Sequence, residues 1–393
     1  MIIVCEPQSI GFVHAEVNSA MLSVIAHAYP EERITFLGGK EHLDIVKKNL
    51  EDRGVMGIEY VPIKIPKQNF RNYKRFIEDL IICRNALELA AKNGTRKVIF
   101  TSVTSSCVVS LKILLRLYRH VDCLVVTHDI MEKILKAPSM LPVEAPFWFR
   151  LILPAFNTKR LRYLVLGEPI KENLSRILPR VDEYVDAIDM PYFFCPPESL
   201  RPLPDGALRF GAFGVGALGK GTDRMFKLAR DVKNKADGGH EFVLIGQIVD
   251  RTVREMVDAP GFAATVPSPD KPLSREDFDR LARSVHYAIF LYDPHTYRLT
   301  ASGALFDAFS YVTPVIAIRN TFFEYYFKAL GDIGYLCEDV DEVERVVLDI
   351  INDRPAERYL AQKRNILEAR KRFDHALLGA RLREIIEKGF DIP

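Results

Sequence analysis

The sequence predicts an α/β protein built from two doubly wound domains, and three observations carry that expectation. Short apolar runs alternate with amphipathic stretches through the first half of the chain, a proline cluster breaks the pattern, and a second alternation of the same kind follows. Apolar runs separated by helical segments form β-α-β units, so the strands of each half lie parallel in one sheet with helices on its faces.

In the first half the strand-like runs are 2–5, 34–37, 59–62, 97–101, 122–127 and 163–166, with amphipathic segments such as 15–29 and 73–93 between them. Residues 191–204 read Pro-Tyr-Phe-Phe-Cys-Pro-Pro-Glu-Ser-Leu-Arg-Pro-Leu-Pro, a composition that marks a linker. Strand-like runs resume at 208–213, 241–245, 263–266, 288–291 and 314–318, and the chain ends in helical stretches at 340–352 and 357–386. The expected organisation is a domain over 1–195, a linker over 196–207, a second domain over 208–370, and a C-terminal helix over 371–393 that packs back on the first domain. Two Rossmann-like domains facing each other would present their strand ends to an interdomain cleft, where ligands bind.

At 393 residues the chain has room for two full cores, and 48% hydrophobic with 27% charged residues are the proportions of a soluble globular protein. A net charge of +2 makes no general case for a nucleic-acid partner. Six cysteines, at 5, 83, 107, 123, 195 and 337, show no Cys-x-x-Cys spacing. They read as reduced residues of a cytoplasmic protein, not as a disulfide framework or a zinc site. The opening Met-Ile-Ile-Val-Cys-Glu-Pro reads as a first strand without the features of a secretion signal. No run approaches the roughly 18 apolar residues of a membrane span.

Two glycine-bearing turns carry the chemistry. The strand Leu208-Arg-Phe-Gly-Ala-Phe runs into Gly214-Val-Gly216-Ala-Leu-Gly-Lys220-Gly221-Thr222-Asp and then an amphipathic helix. Glycines let a backbone approach a ligand closely, and Lys220 can point a charge at a diphosphate. The spacing is neither a P-loop nor a Gly-x-Gly-x-x-Gly fingerprint. Further on, the apolar run 288–291 leads through Tyr297-Arg-Leu-Thr-Ala-Ser302-Gly303 into a helix and then the strand 314–318. A helix N-terminus at that place offers free N–H groups and a positive dipole end to a phosphorylated ligand; the alternative is an ordinary turn with Ser302 as N-cap. Taken together, the turns suggest two loops converging on one phosphorylated ligand.

These motifs, with Asp307-Ala308 and Pro314-Val-Ile-Ala after them, give residues 208–345 a resemblance to the nucleotide-sugar domain of GT-B-fold glycosyltransferases, above all to family-4-type retaining enzymes. Residues 160–195 resemble them more loosely, and the earlier residues only in architecture. The resemblance implies an acceptor-binding first domain and a second domain that takes a nucleoside-diphosphate sugar as co-substrate, with no metal and no other cofactor. It implies donor-binding roles for Gly214, Gly216, Lys220, Gly221, Thr222, Tyr297, Ser302, Gly303 and Asp307, with Lys220 on the diphosphate and Asp307 on the ribose. Two positions depart from the family pattern. Val215 stands where such enzymes usually have Arg, and their Glu-x7-Glu is represented here by Leu299 and Asp307.

In the first domain, Thr127-His128-Asp129 follows an apolar strand. A His beside an Asp there can orient or deprotonate an acceptor hydroxyl; the alternative is an N-capping Asp with an incidental His. His14 and Glu16 follow the first strand through Gly11, in a loop position that lines the cleft of such folds, and complete the catalytic candidates. Tyr292 and Tyr297 flank the second loop as ligand contacts or as packing, and Glu324 reads as a surface acid of a helix. Asp339-Val-Asp341 reads as helix N-terminal charge rather than a metal site. Two basic and aromatic stretches, 64–76 and 146–162, suit either an anionic membrane interface or a packed helix with a basic end. The second stretch holds Phe147 and Trp148.

The expected function is a cytoplasmic glycosyltransferase, peripheral at the inner face of a membrane. It would transfer sugar to a saccharide or lipid-linked saccharide in surface polysaccharide or glycan assembly. Its rivals are a nucleotide-sugar epimerase of the same fold and a non-catalytic partner that binds a nucleotide sugar or glycan.

Overall fold

The computed structural model of the chain describes residues 1–66, 73–128, 130–135, 149–196, 200–236 and 238–390, so Lys67, Arg71, Asp129, Phe147 and Trp148 lie outside the described residues. Along the chain run β1 (Ile2–Cys5), α1 (Ala15–Ala28), β2 (Ile34–Gly38), α2 (Lys40–Glu51), β3 (Ile58–Pro62), α3 (Tyr73–Lys92), β4 (Lys97–Phe100), α4 (Ser105–Leu114), β5 (Asp122–Val126), α5 (Phe149–Ile152), β6 (Leu161–Leu166), α6 (Glu168–Ile177) and β7 (Val185–Ile188). There follow β8 (Leu208–Phe213), α7 (Thr222–Lys235), β9 (His240–Ile245), α8 (Arg251–Val257), β10 (Ala264–Thr265), α9 (Arg275–Ala282), β11 (Tyr287–Phe290), α10 (Gly303–Ser310), β12 (Val315–Ile318), α11 (Thr321–Leu330), β13 (Gly334–Cys337), α12 (Val340–Asp353), α13 (Ala356–Arg370) and α14 (His375–Gly389). No helix among the described residues is long and apolar enough to cross a membrane.

The chain divides into two units. The first comprises residues 1–193, 299–301 and 373–393, and its sheet is parallel in the order β3-β2-β1-β4-β5-β6-β7. The second comprises residues 194–298 and 302–372, with the parallel order β10-β9-β8-β11-β12-β13. Each order reverses once, between β1 and β4 and between β8 and β11. At such a switch point the loops after the two strands diverge and leave a crevice at the strands' carboxyl ends.

Parallel strands are covered on both faces, so they must be apolar along their whole length. All four residues of β1 have 0% exposure, and all five of β5 are buried. That continuity is the signal that located these strands in the sequence. The edge strands lack it. On β7, Asp186 pairs with Arg162 of β6 at 2.7 Å, and β13 has two half-buried residues.

Three segments differ from the sequence expectation. The helical stretch 357–386 is two helices, broken at a 3-10 turn (Lys371–Phe373) and restarted by Asp374, whose carboxylate accepts the Ala376 N–H at 2.9 Å. Of these, α14 belongs to the first unit and lies on α1, where a Cβ on Gly379 would come within 2.8 Å of the Ala28 nitrogen. The proline-rich segment is not a free tether: Leu203 is buried, and Arg354 donates to the carbonyls of Pro204 and Gly206 at 3.2 and 2.8 Å. Leu299–Ala301, expected in the second domain, count with the first unit, whose core holds Leu299 at 0% exposure.

One buried cation organises the helices on one face of the first sheet. Lys112 of α4 donates to the carbonyls of Ile152 and Leu153 at 2.6 and 2.9 Å and to Asn157 Oδ1 at 2.6 Å, and it also reaches the Ala155 carbonyl. These carbonyls lie at the end of the short α5 and in the residues just after it, where no further helical turn supplies donors. A Lys112→Met chain keeps the apolar stem but leaves the oxygens without a donor. Its unfolding free energy in urea should fall by roughly 1–3 kcal/mol; an unchanged value would mean that water serves those carbonyls equally well.

Candidate functional site

In the second unit the two expected turns meet at the switch point. After β8, Gly214 takes φ +84° and donates to the Ile245 carbonyl at 3.0 Å, and Gly216 donates to Gln247 at 2.8 Å. A 3-10 turn (Leu218–Lys220) follows, then Gly221 at φ +65° opens α7. A Cβ on Gly221 would lie 1.8 Å from the Leu291 carbonyl oxygen, so no other residue permits the turn after β8 to rest on the end of β11. Three further bonds hold the loops together. Thr296 Oγ1 donates to the Gly219 carbonyl at 3.3 Å, and Arg224 donates to Leu291 O and to Asp293 Oδ2, each at 3.3 Å.

The candidate side chains take different roles within this frame. The Lys220 ammonium lies 3.5 Å from where a Cβ on Gly214 would be. Burial lowers its pKa and the Asp307 carboxylate opposes that, so the two charges sense each other. Asp307 and Gly303 are the only positions on α10 that are not buried, and their four-residue spacing puts them on one face. Ser302 occupies the N-cap position without capping, because its hydroxyl pairs with the Tyr292 hydroxyl at 3.0 Å. The Ser302 carbonyl accepts the Leu305 N–H at 3.1 Å, but the first turn of α10 keeps N–H groups that the Ser302 hydroxyl does not take, at the positive end of the helix. Tyr297, at φ +57°, stacks on buried Tyr292 at 4.3 Å. The Thr222 hydroxyl is used locally, accepting the Ala217 N–H at 3.0 Å, which makes it a brace of the turn. Glu324 pairs with Arg319 at 3.1 Å, and Asp339 caps α12 by accepting the Glu342 N–H at 2.8 Å.

The catalytic candidates of the first unit separate into two groups. The rings of His14 and His128 meet edge to face at 4.4 Å, His14 Nδ1 lies 3.3 Å from Ser9 Oγ, and buried His128 Nε2 has no hydrogen-bond partner among the described residues. Glu16 is not with them. Its carboxylate faces Arg53 at 3.1 Å and Asn49 at 3.3 Å on the α2 side, so Glu16 ties two helices together at the surface.

Sequence reasoning overlooked two acids. Glu6, directly after β1, is fully buried at the first sheet's switch point. It accepts from the backbone of Gln8 and Ser9 at 3.0 Å each, from Asn18 Nδ2 and Thr101 Oγ1 at 2.9 Å each, and from Ser102 Oγ. Burial alone would raise its pKa, but the bonds from Ser102, Asn18, Gln8 and Thr101 outweigh burial and hold it below the usual carboxylate range. Asn18 also contacts His42 Nε2 at 2.9 Å, and His42 Nδ1 contacts the Gly11 carbonyl at 2.8 Å, so this network pins both ends of the loop that delivers His14. An acid ending an apolar run was the available signal. The second acid is Glu132, which accepts the Leu299 N–H at 2.8 Å; nothing local in the sequence marks that contact.

No protein-family model and no curated protein sequence matches the chain. Its likeness is to solved structures, at low identity. HepE from Anabaena, solved in complex with UDP-glucose, is 14% identical, with 99% of this chain and 100% of that one covered and a TM-score of 0.64. A glycosyltransferase from Rickettsia africae is 12% identical over 100% and 99% of the two chains, with a TM-score of 0.66. A putative UDP-N-acetylglucosamine 2-epimerase from Listeria monocytogenes is 16% identical over 100% and 97%, with a TM-score of 0.55. At such identities the shared property is the fold, and two parallel-sheet Rossmann-like units in one chain make it the GT-B fold.

The Glu6 network has a pH signature. Because its folded pKa is depressed, the stability it contributes is present above the unfolded value of about 4.3 and is lost as pH falls through the lower folded value. Glu6→Gln should cost roughly 1.5–3 kcal/mol near neutrality, and the gap from the parent chain should narrow in acid. Equal urea stabilities at neutral pH would mean that a neutral amide holds the loop as well as the carboxylate does.

Proposed function

We propose that this chain is a glycosyltransferase that takes a nucleoside-diphosphate sugar as donor, works without a metal and retains anomeric configuration. The observation that carries this reading is the backbone contact between Gly221 and Leu291, which sets Lys220, Asp307 and the start of α10 on one switch point. Phosphate is favoured at a helix N-terminus because N–H groups and dipole both point at it. As the sugar bond breaks, charge gathers on the departing diphosphate; Lys220 and the first-turn amides of α10 meet that charge. Val215 replaces the cation usual in this turn, so Lys220 alone supplies the turn's charge. Asp307 accepts from the ribose hydroxyls, and Tyr297 lines the loop beside them. The UDP-glucose bound to HepE supports the donor class.

The acceptor is a saccharide or lipid-linked saccharide, bound by the first unit at the cytoplasmic face of a membrane, in surface glycan assembly. His128, whose Nε2 has no hydrogen-bond partner among the described residues and whose ring meets that of His14, orients or deprotonates its hydroxyl. Glu132 is the carboxylate that touches residue 299, where related enzymes carry a Glu. An epimerase of this fold is the second reading, supported by the Listeria structure. Donor consumption measured with and without acceptor extract separates the two: an epimerase converts donor alone.

Lys220→Ala should weaken nucleoside-diphosphate binding about ten- to a hundredfold, since a charge-assisted contact contributes roughly 1.5–3 kcal/mol. Parent-like affinity by calorimetry would place the diphosphate elsewhere. His128→Ala should leave donor affinity intact while lowering turnover about a hundredfold or more, the usual scale of general acid–base assistance. Full turnover at saturating acceptor would remove His128 from the chemistry.

A further inference from the structure

The outer side of α4 and α5 shows a surface that donor chemistry does not use. Ile113 and Leu117 near the end of α4 are 48% and 75% exposed, and Leu151 and Phe156 are 54% and 80% exposed. They form one neighbourhood because Lys112 of α4 clamps the carbonyls of Ile152 and Leu153, between the latter two residues. Phe156 adopts φ +52°, an uncommon conformation for a bulky residue, and there it holds a phenyl ring in solvent. Such strain persists only where surrounding structure imposes it.

Charge around these side chains is one-sided. Residues 105–121 and 149–162 contain seven Lys or Arg and no Asp or Glu, in a chain whose totals are nearly balanced at 54 and 52. Lys112 is spent on the clamp and Arg162 on Asp186, while Arg116, Arg119, Arg150 and Lys159 are exposed. Aliphatic and aromatic groups ringed by cations suit the boundary between lipid headgroups and acyl chains. Self-association through this face would bring like charges together, which disfavours a second copy of the chain as its occupant.

We propose that the α4–α5 face docks on a bilayer of anionic phospholipid, with Leu117, Leu151 and Phe156 entering the interface and Arg116, Arg119, Arg150 and Lys159 meeting headgroup phosphates. This extends the reading of a lipid-linked acceptor, but docking is measured without turnover, so the two can fail separately. The test is co-sedimentation of the full chain with phosphatidylcholine vesicles, with and without phosphatidylglycerol. The parent chain should pellet only with phosphatidylglycerol present and be released as salt screens the charges. Leu117→Glu with Phe156→Glu should cut partitioning at least tenfold, and each of Arg116→Ala and Arg150→Ala roughly fivefold, the equivalent of about 1 kcal/mol per charge. Melting temperature and donor affinity should be those of the parent in every variant, which separates lost docking from lost folding. Equal pelleting with phosphatidylcholine alone, or undiminished pelleting of the double variant, would overturn the proposal. So would concentration-dependent self-association in sedimentation velocity that the same double variant abolishes.

Discussion

The second unit depends on one close approach between two stretches of backbone. Gly221 rests against the Leu291 carbonyl so tightly that a single methyl group would collide with it. The candidate donor-binding turn of that unit is positioned by the contact. It fixes where α7 starts, brings Lys220 back over Gly214, and lets Arg224 and Thr296 tie the neighbouring loop down. A larger residue would separate the two turns, and with them the Lys220 ammonium from the Asp307 carboxylate on α10 that it now senses. Similar contact recurs nearby, where a Cβ on Gly246 would lie 1.9 Å from the Gly214 carbonyl.

The two units handle buried charge in opposite ways. Glu6 is surrounded by donors, so its ionised form is favoured despite complete burial, and the result is rigidity: a carboxylate spanning β1, β4 and α1 that holds a loop in place. Lys220 has less compensation. Burial draws its pKa down, and the opposing influence is the charge of the Asp307 carboxylate. A cation in that condition gains much from an anionic ligand, whereas Glu6 would gain little from any ligand. This difference separates a group that maintains the architecture from the one proposed above to meet the donor diphosphate.

How far the sequence revealed these features follows from the range of the interactions involved. Continuous burial made β1, β5 and β11 legible, and the glycines of the turn after β8 were legible because the positive φ of Gly214 and Gly221 is a local requirement, whereas the contact of Gly221 with Leu291 was not. The contact of Ser302 with Tyr292 was not, since a Ser before a helix looks the same whether its hydroxyl caps or turns away. Glu16 was placed with His14 because both follow the first strand through Gly11, yet its direction is set by Arg53, distant in sequence. Glu6 was hidden for another reason: an acid at a strand end reads as a loop residue until its donors, including Thr101 and Ser102, are brought beside it by strand pairing.

The position of α14 bears on how the molecule is made. This helix covers α1 of the first unit, yet it is encoded after the whole of the second. During synthesis the first sheet can form early, while the surface of α1 that receives Gly379 stays bare until the following 180 or so residues have emerged, on the order of ten to forty seconds at ordinary elongation rates. Through that interval the nascent chain exposes apolar surface that the finished protein conceals. The second unit must therefore fold as a guest inside an unfinished host, and completion of the first domain is timed by the ribosome rather than by its own strands.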